Sequence, residues 1–240
     1  MAKRRFGVST RLYEGQRLSR EHLLEIASFG FDTVEVLGVA THVDATNEAV
    51  VADLQQWLAE ARLDVQGVRV PATPSTGGGA SDANVEAALF VARRIPFAAL
   101  TVHVARPREA AKQIDRLADL AEPLGVTIAV DSASEGLSPI GSLVHFVEGF
   151  DAHVGIALDF ARAQRNGDLV DAIEQASEHL VSIRLPTESR IDWPSALTAV
   201  QKVGYEGPVL LEPPRAAPKA ALAQARQARD RFEKLLCTFI

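Results

Sequence analysis

Cysteine is nearly absent from this 240-residue chain. The single Cys237 cannot close an internal disulfide, so a reducing compartment, the cytoplasm, is expected. Cys237 itself is read as half-buried and inert. No uninterrupted apolar run is long enough to span a bilayer, and no apolar core follows the basic "MAKRR" at the start, so neither a membrane span nor a secretion signal is read. A basic surplus is also missing. Lys and Arg number 25 against 31 Asp and Glu, a net charge of −6, which argues against a nucleic-acid partner. Glycines cluster once, in "PATPSTGGGASD" (71–82), but no Lys-Ser/Thr pair or G-x-G-x-x-G follows them. That segment is read as a mobile loop over the mouth of the fold rather than a phosphate cradle. No Ser–His–Asp ordering or nucleophile elbow is visible.

What the chain does have is alternation. Short apolar runs at 6–10, 32–37, 65–70, 99–104, 126–131, 154–159, 181–185 and 208–212 read as strands. Amphipathic stretches lie between them. Residues 47–61 set Val50, Leu54, Trp57, Leu58 and Ala61 on one face, and residues 107–123 do the same with Ile114, Leu117, Ala118 and Ala121. Ser19 is placed to cap the first helix, with Gly30 as its stop. Asp192 caps the seventh, with Pro194 in its first turn. A last helix over 218–238 carries Leu222, Ala225, Phe232 and Leu235 on one stripe. Strict βα alternation implies parallel strands, and eight such units in 240 residues fit a single (β/α)8 barrel spanning 1–240, with helices outside.

Side chains alternate along a strand, so parity selects what faces the barrel interior. Near the strands' C-terminal ends one parity gives Ser9, Glu35, Arg69, His103, Asp131, Asp159, Arg184 and Glu212. A strand-end residue reaching solvent explains any one of these alone. Eight polar closures of eight apolar strands point to one pocket, where barrels of this kind carry their active sites. His103 is an acid/base or ligand candidate, or a hydrogen-bonded pocket histidine. Glu35 is a base candidate, or the partner of Arg69 on the neighbouring strand. His22, His42, His145, His153 and His179 are read as surface residues, and Trp57 and Trp193 as packing.

Two segments add a resemblance. "REHLLEIASFGFDTVEV" (20–36) and "IDWPSALTAVQKVGYEGPVLLE" (191–212) resemble the opening βαβ unit and the C-terminal signature of the xylose isomerase-like TIM-barrel superfamily. That group includes sugar phosphate isomerases/epimerases and AP endonuclease family 2 enzymes of the endonuclease IV type. The resemblance implies the barrel and a divalent-metal site at the strand ends, with Glu, Asp, His and Glu ligands after strands five to eight. Glu212 and Asp159 match that pattern. Asp131 stands where the family has Glu, one methylene shorter, so its carboxylate falls roughly 1.5 Å short. Arg184 stands where the family has His, Pro186 where a second His follows, Arg162 where a His follows the Asp by three, and Arg69 where strand three carries His.

A guanidinium has no lone pair to donate, so Arg cannot replace His as a ligand. Three arginines facing Glu35, Asp131, Asp159 and Glu212 can instead balance the charge a cation would carry. Asp159 is then half of an ion pair or, failing that, a ligand. Arg162 or Arg184 is expected within hydrogen-bonding reach of Asp131, Asp159 or Glu212, all set at one height. A degenerate metal site at Asp131, Asp159 and Glu212 is expected to hold no ion tightly, with Mn, Mg or Zn bound only if the site still works. The implied function is isomerisation or epimerisation of a small carbohydrate or hydroxy-carbonyl compound, with Glu35, His103, Asp131 and Glu212 as catalytic candidates. The alternative is an inactive barrel that binds a small anion through Arg69, Arg162 and Arg184. A DNA-repair role of the endonuclease type fits the acidic charge and the missing histidines least well.

Overall fold

The computed structural model describes residues 5–72, 79–105, 107–134, 136–137, 139–150, 153–188 and 190–238. Eight strands form the barrel wall: β1 (Phe6–Ser9), β2 (Thr33–Leu37), β3 (Asp64–Val70), β4 (Ala99–Val102), β5 (Thr127–Asp131), β6 (Val154–Asp159), β7 (Leu180–Pro186) and β8 (Val209–Glu212). Each pairs in parallel with its sequence neighbour, and β8 returns to β1, so the sheet is closed. Parallel strands buried on both faces need no polar alternation, which is why runs such as "GIAL" and "IAV" are apolar throughout. Gly67 allows the close approach of β3 and β4: a Cβ there would stand 2.8 Å from the carbonyl oxygen of Ala99.

The crossovers are α1 (Arg20–Ser28), α2 (Glu48–Ala61), α3 (Asp82–Ala92), α4 (Pro107–Ala121), α5 (Ile140–Val147), α6 (Phe160–Asn166), α7 (Leu169–Ala176), α8 (Trp193–Lys202) and α9 (Pro218–Thr238). α1 ends where expected, with Gly30 at φ +82° donating its N–H to the Ala27 carbonyl. On α2 the core-facing residue is Val51, not Val50, beside Leu54, Leu58 and Ala61; Trp57 is only half-buried. Ile114, Leu117, Ala118 and Ala121 of α4 are buried as expected. Asp192 caps α8 through the Ser195 N–H, but this is the eighth helix, because the β6–β7 crossover is broken in two. The break falls at "NGD", where Gly167 ends α6 and the Asp168 carboxylate caps α7. Residues 73–78 of the glycine-rich segment, read as a mobile loop, and the Cys237 side chain lie outside the described residues. Among the described residues, no helix is long and apolar enough to cross a membrane.

One surface assignment is corrected. His42 is 3% exposed, not at the surface. Its Nε2 faces the carbonyl of Tyr13 at 3.3 Å and its Nδ1 faces Thr10 Oγ1 at 2.9 Å. A carbonyl only accepts, so Nε2 carries the proton and Thr10 donates to Nδ1. Burial holds this imidazole below its ordinary pKa, which keeps it neutral. His22 is also engaged: its Nδ1 accepts the Ser19 N–H at the start of α1, and its ring stacks on Tyr13 at 4.1 Å.

Candidate active site

Strand tilt sets the geometry of the mouth. Closing a barrel staggers successive strands, so equal parity does not give equal height. Asp159 lies beside Arg184 in the β6–β7 register, but Asp131 lies beside Ala157, and Glu212 beside Pro186 rather than Arg184. By burial and side-chain contact the expected ring resolves into two tiers, a sealed one around Arg184 and one around Arg69 that opens to solvent. Register shifts at Val34/Glu35 and Ile156/Ala157 contribute to the offset.

The lower tier is inside the barrel. Arg184 and Glu35 are 1% and 2% exposed, and their side chains meet at 2.6 Å and 3.4 Å. The same guanidinium reaches Thr101 Oγ1 at 3.3 Å and Glu212 Oε1 at 3.4 Å. The expected Glu35–Arg69 pair is not formed. β3 carries the extra residue, Gln66, so Glu35 stands beside Gly67, and Arg69 lies two residues further on, beside Leu37. Burial works against the charge on Arg184, but Glu35, Asp131 and Glu212 more than offset it and raise its pKa above the usual guanidinium value.

The upper tier is a bridge. Arg69 donates from Nη2 to Asp131 Oδ2 at 2.8 Å and from Nη1 to Glu212 Oε1 at 3.2 Å. Asp131 is 1% exposed, Arg69 17% and Glu212 27%, so the tier opens toward solvent at Glu212. Asp131 Oδ1 accepts the Ala133 N–H at 2.9 Å. Burial alone would raise the Asp131 pKa. Arg69, Arg184 and that N–H outweigh it and hold the carboxyl below its ordinary range. Arg184 thus lies within reach of Glu212, as expected of one of the two arginines.

Asp159 does something else. Its Oδ1 accepts the backbone N–H of Arg162 at 2.9 Å, making it the N-cap of α6, and its own N–H donates to Ser132 Oγ at 2.8 Å. The spacing of three between Asp159 and Arg162 is therefore a capping spacing: the bond runs to the backbone, not to the guanidinium. The ion-pair assignment for Asp159 is corrected accordingly, since no arginine reaches it among the described residues. The Arg162 guanidinium likewise makes no ion pair among them, and its Nε is buried without a hydrogen-bond partner. Burial raises the Asp159 pKa, and the charges of Glu212 and Asp131 raise it further, against the Arg162 N–H.

The two aspartates should therefore respond to pH in opposite senses. A depressed folded-state pKa gives Asp131 a stabilising contribution that is present above the ordinary value of 3.8 and lost as pH falls through the depressed value. A raised pKa makes the Asp159 charge costly at neutral pH, and the cost fades as pH falls through the raised value toward 3.8. Asn also caps helices well. Asp159→Asn is thus expected to raise the melting temperature at neutral pH, with the gain shrinking in acid, whereas Asp131→Asn should lower it. Melting curves across that range check both; a fall for Asp159→Asn at neutral pH would show that its charge has a partner.

Beside the tiers lies a cleft of about 600 Å³, lined among others by Ser9, Arg11, Leu211, Glu212, Pro213 and Arg215. That is an ordinary volume for a small-molecule site. Parity reasoning missed Arg11 and Arg215, which sit in the segments just after β1 and β8; the "EPPR" that follows the last strand was the available signal. His103 is set apart, in a smaller recess with Gly79, Asp82 and Glu109.

The residues present do not fit the implied metal. Both Asp131 oxygens are engaged, by Arg69 and the Ala133 N–H, and the Arg69 guanidinium stands between Asp131 and Glu212. Asp159 is turned to its helix. Among the described residues, no three His, Cys, Asp or Glu side chains gather as a metal-holding group.

The barrel has many structural relatives. It superposes on a D-psicose 3-epimerase from Clostridium cellulolyticum H10, crystallised with D-tagatose, at a TM-score of 0.79 with 15% identity, covering 97% of this chain and 99% of the other. An L-ribulose 3-epimerase gives 0.81 with 16% identity, covering 98% and 95%. The IOLI protein, solved with a bound zinc atom, gives 0.75 with 13% identity, covering 98% and 99%. No curated protein matches the sequence. At such identities these structures establish the fold alone. The family model described as "Xylose isomerase-like TIM barrel" matches residues 23–235, nearly the whole chain, and to that family this chain belongs.

Proposed function

We propose that the chain acts in the manner of its family's sugar isomerases and epimerases, on a small carbohydrate or hydroxy-carbonyl ligand held at the barrel mouth. The observation that carries this is the cleft against β8: it has the volume of a small ligand, and Glu212, the most exposed carboxylate of the charge network, forms part of its wall. Glu212 is assigned the proton transfer at the carbon next to the ligand carbonyl, with Ser9 a hydroxyl partner on the same wall. Glu35 and Asp131 are buried and held by guanidinium groups, so they position the network rather than meet the ligand. His103 stands aside in its own recess. The ligand is small, and the acidic charge of −6 argues against nucleic acid. A reducing cytoplasm suits the single cysteine.

The second reading, a barrel that binds a small anion without catalysis, draws on Arg11 and Arg215, both exposed on the same cleft. The arginines first considered for that role are less suitable, since Arg184 is sealed inside the barrel. One experiment separates the readings. The protein is incubated in D2O with neutral ketoses, their phosphates and the matching sugar acids, while NMR follows both binding and deuterium uptake next to the carbonyl. Uptake that is lost in Glu212→Gln is expected. Binding without uptake favours the second reading, and neither binding nor uptake would overturn both.

A further inference from the structure

We infer that Arg69 is a built-in cation: its guanidinium occupies the place and balances the charge of the divalent ion that the family pattern implies, so the mouth is organised without a metal. The inference does not depend on which ligand the cleft takes. Arg69 bridges Asp131 and Glu212 through separate nitrogens, at 2.8 Å and 3.2 Å. Glu212 matches the last ligand of the family pattern, and Asp131 stands at the strand-five position. The sequence offers three arginines for this part, and the structure distinguishes them. Arg184 is committed below, to Glu35, at 1% exposure. Arg162 has no carboxylate in reach among the described residues. Only Arg69 both joins the two carboxylates and reaches toward solvent, at 17% exposure.

The chemistry of the exchange is specific. A guanidinium keeps its charge at any relevant pH and donates planar N–H groups, which suit two carboxylates at once. It offers no coordination position, so any charge that develops on a ligand at this mouth is met by N–H donors, not by a Lewis acid. Asp131 fits the same design. A shorter side chain than glutamate leaves room for the guanidinium between the two strands' carboxylates. Without Arg69, the carboxylates of Glu35, Asp131 and Glu212 would share the single guanidinium of Arg184.

The test needs no ligand for the cleft. The full chain is purified without added metal, its metal content is measured, and melting temperatures are recorded with EDTA and with manganese, magnesium or zinc chloride. The parent is expected to carry less than stoichiometric metal and to melt at the same temperature in EDTA and in millimolar metal. Arg69→Gln, which removes the charge, should melt lower, and should regain at least about 5 °C on addition of millimolar manganese or zinc. Arg69→Lys keeps a charge but cannot fork to both carboxylates; it should melt between the two and remain indifferent to metal. Stoichiometric metal in the parent, or stabilisation of the parent by micromolar metal, would overturn the inference. So would an Arg69→Gln protein that melts with the parent and ignores the ions. If Arg69→Gln does not fold, the parent's metal content and titration, with Arg69→Lys, still decide it.

Discussion

Arg184→Ala should be among the most damaging single substitutions in this protein. Arg184 is one of the largest side chains buried in the barrel, and its loss strands Glu35, which is 2% exposed and has no other cation in reach among the described residues. Breaking a buried ion pair from one side costs about 3–5 kcal/mol, a large share of the roughly 5–15 kcal/mol that holds a typical domain folded. For a chain of this length that corresponds to a fall in melting temperature of roughly 10 °C. The cost belongs to the orphaned carboxylate more than to the missing arginine. Arg184→Met combined with Glu35→Leu should therefore recover most of it, because an apolar pair of similar volume needs no solvation. Urea denaturation of the two single variants and the double variant measures the coupling. A loss below about 1 kcal/mol for Arg184→Ala would mean that water or an ion enters the barrel to serve Glu35. Arg184→His would not restore a metal ligand: it would strand Glu35, while Arg69 would still bridge Asp131 and Glu212.

The mouth shows which features of a barrel can be read from a sequence and which cannot. The strands were legible because each is a short apolar run ended by turn or capping chemistry, and burial on both faces leaves no competing pattern. Parity also worked: Glu35, Arg69, Asp131, Arg184 and Glu212 do meet around the strands' C-terminal ends. What parity could not supply is height. Nor could it supply the pairing across the barrel, in which Arg184 serves Glu35 while Arg69 serves Asp131 and Glu212. Asp159 illustrates a second limit. An aspartate three residues before an arginine reads equally well as an ion pair or as a helix cap, and only the short α6 behind it settles the matter. Val50 and Val51 are a third case, since either fits an apolar stripe whose phase depends on where the helix lies against the barrel.

These pairings also bear on how the family pattern should be used here. The pattern names positions, and the positions are present, but side chains of different chemistry fill several of them. Position 69 is the informative one. The resemblance expects a histidine there, and Arg69 instead bridges Asp131 and Glu212. A guanidinium balances the charge of those carboxylates without offering a coordination position, so membership of the family carries the fold more securely than it carries the chemistry.

Phe232→Ala is the other large expected effect, and it acts at the seam of the barrel. α9 must lie back across β1 and β8, where the closed sheet joins its first and last strands. Phe232 is fully buried; its ring lies 6.4 Å from that of Phe6 on β1 and 4.5 Å from that of Trp193 at the start of α8. It therefore ties the last helix both to the first strand and to the preceding helix. Truncating a buried phenylalanine to alanine costs about 3–5 kcal/mol, combining the lost apolar burial with the cavity left behind. The walls of that cavity are the closing strand and two helices, which cannot collapse without disturbing the sheet, so the upper part of that range is expected. Phe232→Leu retains part of the contact and should lose clearly less. Trp193 reports on the same place, so its emission should change in Phe232→Ala before denaturant is added. A denaturation midpoint lowered with unchanged slope would then locate the loss in the folded seam. If instead the midpoint held and only the emission changed, Phe232 would be a neighbour of the seam and not what holds it, and the weight of closure would pass to Leu222 and Ala225, both fully buried on the same stripe.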